Sequence, residues 1–397
     1  MRDMAQSVFM AGVLIGAVVF GRLADRFGRR ALLIWSYLQM GIAGTCVAFL
    51  PTFSCYCVFR FLTGMAFSGV QLNTISLILE WMPPQWRTLA AILPGQSYSL
   101  AQVILAGFAY GIREWRWLQF TMSAPFFLFF VYSWFLPESA RWLILNNRSS
   151  EAVAILRKAA FINGKQEEGE QLTVEIVESQ IKGESTLRPS TSILDLVRTP
   201  GMRRISCRLM FIWFSTSLGF FIIATELQGF GISIFLVQVA FGVIDIIGKQ
   251  ASFTALDCLG RRPTVAFNLI FAGLLIITNI FVPPEIPTLR TLLATIAKGS
   301  LAGAFTCLFM FSGELYPTVL RQTGLGFHSM NARIGAIVAP VVRMTSNYVS
   351  FLPAVIIGTA AIVAGAVVCT LTETHKRPLL DTVEELEHRS RRKPQPG

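Results

Sequence analysis

Five ionisable side chains fall inside otherwise apolar stretches of this sequence: Arg60, Asp245, Lys249, Lys298 and Arg333. A charge at the centre of a membrane-spanning helix costs about 2.5–3.5 kcal/mol on insertion scales, so each needs a partner or a task. Asp245 and Lys249 are four residues apart on one predicted helix and can pair with each other. Arg60 opens RFLTGMAFSG, whose glycines point to close helix packing, and its reading is structural. Lys298, in AKGSLAG, lies in the outer half of its predicted helix, where it is either a substrate-binding residue of a cavity or within snorkelling reach of the interface. Arg333 sits near the middle of its stretch, between HSMNA and IGAIVAP, with no acid three or four residues away. Two uses remain for it: a distant acidic partner, or an anion in a water-filled cavity. Counting only these deep groups, cations outnumber the single acid, so a cavity they line attracts anions.

Other chemistries have no support in the sequence. There is no Walker A loop, HExxH pair, CxxC pair or cluster of acids and nucleophiles, so neither ATP-driven work nor an intramembrane enzyme is expected, and no cofactor or metal. The seven cysteines form no disulfide framework. The net charge of +11 resides mainly in short loops and does not indicate nucleic-acid binding.

The elements that must position these charges are helices. Hydrophobic residues make up 53% of the chain and charged residues 14%, against about 25% charged in a soluble domain. Eleven stretches are long and apolar enough to span a bilayer: 5–24, 31–50, 54–79, 88–110, 117–136, 208–227, 232–256, 264–282, 290–312, 322–343 and 351–371. The fold class is an all-α polytopic membrane protein. The arginine-rich loops DRFGRR and LGRRP share one side by parity, which the positive-inside rule makes cytoplasmic, with REWR (113–116) the one exception. The segment 137–206 is cytoplasmic on this parity. Within it SSEAVAILRKAAF, EEGEQLTVEIVESQIK and SILDLVRTPGMRR are expected as amphipathic helices on the membrane face, the third ended by Thr-Pro-Gly.

The chain repeats itself. ADRFGRRA aligns with LDCLGRRP, matching Asp25 with Asp257, Arg29 with Arg261 and Arg30 with Arg262 at an offset of 232 residues. EWMPPQWR aligns with ELYPTVLR, matching Glu80 with Glu314 and Arg87 with Arg321 at an offset of 234. Two matches at nearly one spacing imply two parallel halves. The second half has a span ahead of its LGRRP loop that the first half lacks, so twelve spans are expected of the complete architecture and eleven here. Asp25 stands at a helix C-terminus, where the macrodipole disfavours an acid unless arginines or a neighbouring helix N-terminus pair with it. Gly21 and Gly28 allow close approach and a tight turn. A static arginine cluster would stop translocation; the recurrence of the aspartate with the arginines in both halves favours a cytoplasmic gate instead.

Taken in order, GRLADRFGRR, RFLTG, LPESARWL, LGRRP and GELYPTVLR resemble the major facilitator superfamily. WRWLQFTMSAPFFLFFVYSW, FINGKQEEGE and GELYPTVLRQTG are more narrowly similar to its organic anion transporters, in the branch shared with organic cation transporters. The resemblance implies two helical bundles, 1–136 and 207–371, with a cytoplasmic loop at 137–206 and a cytoplasmic tail at 372–397. It implies secondary transport of small organic anions across the plasma membrane by alternating access, with a dicarboxylate as counter-substrate. Arg333 and Lys249 fall where the family binds the anion, and Tyr98, Trp213, Phe220, Phe221, Phe305 and Ser329 where it lines the cavity. Phe220-Phe221 replaces the Tyr pair of many members, which favours aromatic substrates with fewer hydrogen bonds and keeps urate among them. A truncated non-transporting protein and a cation transporter are the alternatives, and Arg333 argues against the latter.

Overall fold

The computed structural model describes residues 2–82, 87–179, 193–225, 233–283, 285–317, 320–375 and 383–391. The described residues are helical, without strand. In chain order the helices are α1 (Arg2–Phe27), α2 (Arg29–Phe49), α3 (Phe53–Trp81), α4 (Arg87–Gly111), α5 (Trp115–Ser123), α6 (Pro125–Ser133), α7 (Ala140–Leu145), α8 (Ser149–Ile162) and α9 (Gln166–Glu170). They continue with α10 (Asp195–Arg198), α11 (Pro200–Thr225), α12 (Ile234–Leu259), α13 (Arg261–Ile280), α14 (Pro287–Leu315), α15 (Arg321–Met344), α16 (Leu352–Cys369) and α17 (Val383–Arg391).

Eight of these helices are long and apolar enough to cross a membrane by length and composition: α1, α2, α3, α11, α12, α13, α14 and α16. The other three expected spans have identifiable irregularities. Expected span 117–136 is two helices, because Pro125 has no N–H to continue the ladder. Expected span 88–110 lies in α4, which carries Pro94 inside it. Expected span 322–343 is α15, 24 residues long but loaded with Arg321, His328, Arg333 and Arg343. At about 1.5 Å per residue that length exceeds a hydrocarbon core of about 30 Å.

By contacts the chain gathers into two units. One comprises Val8–Leu93 and Glu114–Ser190. In it α2 packs on α3 and on α5 and α6. Gly12 and Gly16 face the backbone of Phe61 and Met65, where a Cβ would collide with carbonyl oxygens, the close approach that small residues spaced by four permit. Arg60 lies 5.0 Å over the Phe9 ring, a structural role consistent with its packing context. Gly21, by contrast, has nothing within 4 Å of a Cβ among the described residues, so the close approach expected there is not made by them. In the same unit α7 and α8, with Val177, form a small core of their own from Trp142, Leu143, Ile144, Ala152 and Val153.

The other unit comprises Met1–Ser7, Pro94–Arg113 and Thr191–Gly397. Here α12 packs on α14, α13 on α14 and α16, and α11 on α15 and α16. The expected Thr-Pro-Gly stop is instead a start: Pro200 opens α11, as proline at a first helical position can. The tail helix α17 folds back so that Glu387 accepts a hydrogen bond from Gly201 N and Leu386 enters the core beside Leu196 and Met202.

Candidate functional site

The α12–α14 crossing brings the deep charges together. A Cβ on Gly248 would overlap the Gly299 carbonyl, so the two backbones touch one turn from Asp245 and next to Lys298. Lys298 Nζ donates to Asp245 Oδ2 at 2.5 Å, and both residues are 0% exposed. This corrects two expectations: Asp245 takes Lys298 and not Lys249 as its ion-pair partner, and Lys298 is sealed in the interior instead of snorkelling outward. Sequence spacing sees only neighbours on the same helix, whereas the crossing supplied a closer partner from another.

Lys249 makes other contacts. Its Nζ donates to Gly95 O at 2.7 Å and Ser99 Oγ at 2.7 Å, and lies 5.9 Å from the Tyr98 ring centre. Its hydrogen-bond acceptors are therefore neutral. Ser99 was not singled out by the sequence, although its place beside Tyr98 was a usable signal.

Lys298 borders an aromatic array. Lys298 Nζ sits 4.9 Å from the Phe220 ring centre and 5.1 Å from that of Phe241. Phe220 meets Phe221 at 5.5 Å and Phe305 at 6.2 Å, and Phe305 meets Trp213 edge-on at 5.3 Å. Phe309 also meets Trp213 edge-on, at 4.6 Å. Edge-to-face rings at these separations are the favoured arrangement for aromatic quadrupoles. Trp213 is fully buried and its indole N–H donates to Ser312 Oγ at 3.0 Å. Thus Lys298, Trp213, Phe220, Phe221 and Phe305 form one run of contacts, and Lys249 and Tyr98 meet each other, all inside one unit. Ser329 and Arg333 are part-buried on α15. That helix is fixed against α11 at their level, where Asn331 donates to Met210 O and Ser217 donates to Ala332 O at 2.5 Å.

The repeated loops build one device twice, once in each unit. In the first, Arg29 bridges Asp25 at 3.2 Å and Glu80 at 3.5 Å. In the second, Arg261 bridges Asp257 at 3.7 Å and Glu314 at 3.2 Å. Gly28 and Gly260 turn the chain with φ of 98° and 100°, which favours glycine. Asp25 is 78% exposed on its side chain, so its bridge alone contributes little. The better-anchored carboxylates were not singled out by the sequence. Glu138 accepts from the backbone N–H of Arg29, Arg30 and Ser139, and Glu373 from those of Arg261, Arg262, Thr374 and His375. Each carboxylate thus sits on the N-terminus of the helix after the turn, α2 or α13, where the macrodipole favours it. The missed signal was a third match at nearly the same spacing, PES over TET at an offset of 235 residues. Burial alone would raise the Glu373 carboxyl, but the hydrogen bonds from His375, Arg261, Arg262 and Thr374 hold it below its ordinary value. Arg30 donates to Trp134 O and Arg262 to Leu371 O at 3.4 Å, while Arg321 donates to Gly313 O at 2.6 Å. The Arg87 side chain lies outside the described residues.

Comparisons with known proteins agree with this architecture. Residues 3–385 match the family described as Sugar (and other) transporter. Solute carrier family 22 member 20 of Mus musculus is 52% identical over 391 residues, covering 98% of this chain and 70% of that protein. Solute carrier family 22 member 6-A of Xenopus laevis is 52% identical over 389 residues, covering 98% and 70%. Organic anion transporter 3 of Sus scrofa is 45% identical over 397 residues, covering 100% and 73%. The inward open conformation of the xylose transporter XylE from E. coli superposes with a TM-score of 0.77 at 19% identity, covering 97% of this chain and 88% of that one, a likeness of fold. With the family match running along nearly the whole sequence and such relatives covered over more than two thirds of their length, this chain belongs to the multi-pass membrane transporters of the major facilitator superfamily and, within them, to solute carrier family 22.

Proposed function

We propose that this protein carries small organic anions across the plasma membrane by alternating access between the bundles expected at 1–136 and 207–371. One observation carries the reading. The hydrogen bonds of Lys249 go to a carbonyl and a hydroxyl, while Asp245 is hydrogen-bonded to Lys298, so among the described residues the Lys249 charge has no directly bound carboxylate. Tyr98 stands beside it, and the array of aromatic rings bordered by Lys298 is suited to the apolar body of an aromatic carboxylate. The organic anion transporter of Sus scrofa among its relatives supports the same class. In this reading Lys249 and Arg333 attract the carboxylate, Tyr98, Trp213, Phe220, Phe221, Phe305 and Ser329 shape the wall, and Lys298 holds Asp245. The Asp25–Arg29–Glu80 and Asp257–Arg261–Glu314 clusters, with Arg30, Arg262, Arg87 and Arg321, close and release the cytoplasmic end. A dicarboxylate is the exchanged counter-anion.

Uptake of labelled p-aminohippurate into cells expressing the chain tests this, normalised to surface protein, for the parent, Lys249→Ala and Arg333→Ala. Uptake reduced at least about tenfold in both variants, the scale of a lost charged contact, is expected. Preloading the cells with glutarate should accelerate uptake. Uptake of a labelled organic cation that survives both substitutions would overturn the anion reading, and parental uptake unchanged by preloading would remove the exchange step.

A further inference from the structure

Next to the aromatic wall lies a hydrogen-bonded chain that the transport reading leaves unused. Ser206 Oγ donates to Leu196 O at 2.9 Å and also meets Tyr316 OH at 2.9 Å. Tyr316 OH in turn meets His328 Nε2 at 2.8 Å. Tyr316 and His328 are 0% exposed, and Ser206 is buried. The proton positions follow by elimination. A carbonyl only accepts, so the single Ser206 proton goes to Leu196 O. Tyr316 must then donate its own proton to Ser206, which leaves its oxygen to accept from His328. A neutral His328 therefore carries its proton on Nε2, and Nδ1 is left as a bare acceptor, buried without a hydrogen-bond partner among the described residues.

The ring so fixed is part of the wall. The His328 and Trp213 planes lie within 5° of parallel at 6.4 Å between centres. Phe305 and Phe309 meet that same indole edge-on. The site is built to this shape: a Cβ on Gly324, one turn before His328, would come within 2.7 Å of the Tyr316 ring. At the other end of the chain, Leu196 belongs to α10, the short helix immediately before α11.

We propose that His328 is a positioning residue for the aromatic wall: the chain Leu196–Ser206–Tyr316–His328 holds its Nε2–H tautomer and ring plane, and the ring holds Trp213 in the orientation that receives the substrate. Seating of α10 is thereby read out at the wall. The inference rests on the reading of that wall as the substrate surface, and the closing experiment separates the two.

Uptake kinetics of p-aminohippurate would be compared for the parent, Tyr316→Phe, His328→Phe, His328→Gln and the double Tyr316→Phe/His328→Phe, at matched surface expression. Tyr316→Phe and His328→Phe are each expected to raise KM about fivefold, the effect of one lost buried hydrogen bond, with the maximal rate within about twofold. The double variant should be no worse than His328→Phe, because both remove one unit. His328→Gln keeps an N–H donor and should recover much of the KM. Additive losses, or a fall in maximal rate at constant KM, overturn the proposal. The independent measurement needs no substrate: 15N spectra of the purified chain labelled at its histidine rings, with His328→Gln assigning the resonance. An Nε2–H signal that turns mixed in Tyr316→Phe supports the chain of bonds even where the parent transports no p-aminohippurate. An Nδ1–H or doubly protonated ring in the parent overturns it whatever the uptake.

Discussion

At the residue scale the Asp245–Lys298 pair shows how a buried charge is tolerated and what it controls. Neither residue reaches solvent, so each relies on the other, and Asp245 Oδ1 is left without a hydrogen-bond partner among the described residues. Removing one partner of such a pair strands the other and costs about 3–5 kcal/mol, whereas replacing both with apolar groups of similar volume is often neutral. Lys298→Met and Asp245→Leu are therefore each expected to lower the thermal midpoint of the purified protein markedly. The double variant should recover most of that loss. A double variant as unstable as the worse single would mean that the pair does more than neutralise itself. Both residues are recognisable in the sequence as deep charges, but it offers Asp245 only Lys249 as a neighbour, because a helical spacing of four is visible in a string and a crossing of two helices at paired glycines is not.

At the element scale the stabilising feature of each arginine-rich turn is a carboxylate on a helix N-terminus. Glu373 receives four backbone N–H groups, two from the start of α13 and two from its own loop. Glu373→Ala should cost about 1 kcal/mol or somewhat more, in line with loss of a helix cap. The pH dependence has a definite sign. The folded-state pKa of Glu373 is depressed, so its stabilisation is complete above the ordinary value of 4.5 and is lost as pH falls through the lower folded value. The difference in melting temperature between the parent and Glu373→Gln should thus be constant from neutrality down to about pH 5 and shrink below it. A difference that grows on acidification would assign the stabilising role to another group. The turns themselves were readable from their glycines. At Gly28, which has positive φ, a Cβ would also overlap Glu138 Oε2, so Gly28→Ala should disrupt this cap more than Gly260→Ala disrupts its counterpart.

At the scale of the whole molecule, the parallel repeat and the arginine asymmetry together predict a topology that cysteine chemistry can test. Cys55 stands near the start of α3, beside an uncharged loop, and Cys258 near the end of α12, beside LGRRP; both are exposed. In variants retaining only one of them, a membrane-impermeant maleimide applied to intact cells should modify Cys55. It should reach Cys258 only after permeabilisation. The opposite pattern would invert the orientation and move the paired arginine-rich turns to the outer face.

Much of this protein was determined by its sequence alone, for reasons that act locally. Apolar runs of about 20 residues permit only membrane helices, because backbone groups in lipid must bond within their own segment. The repeat places Asp25 with Asp257 and Glu80 with Glu314 whatever the packing, since it is carried by order along the chain. The tertiary structure decided what depends on contacts between distant segments. It gave Asp245 to Lys298 and Lys249 to Ser99, set Glu138 and Glu373 on helix starts more than one hundred residues away, and linked His328 through Tyr316 and Ser206 to Leu196. A buried polar group must take whichever partner the crossing helices bring within about 3 Å, and that choice is made by backbone approach, not by spacing in the chain.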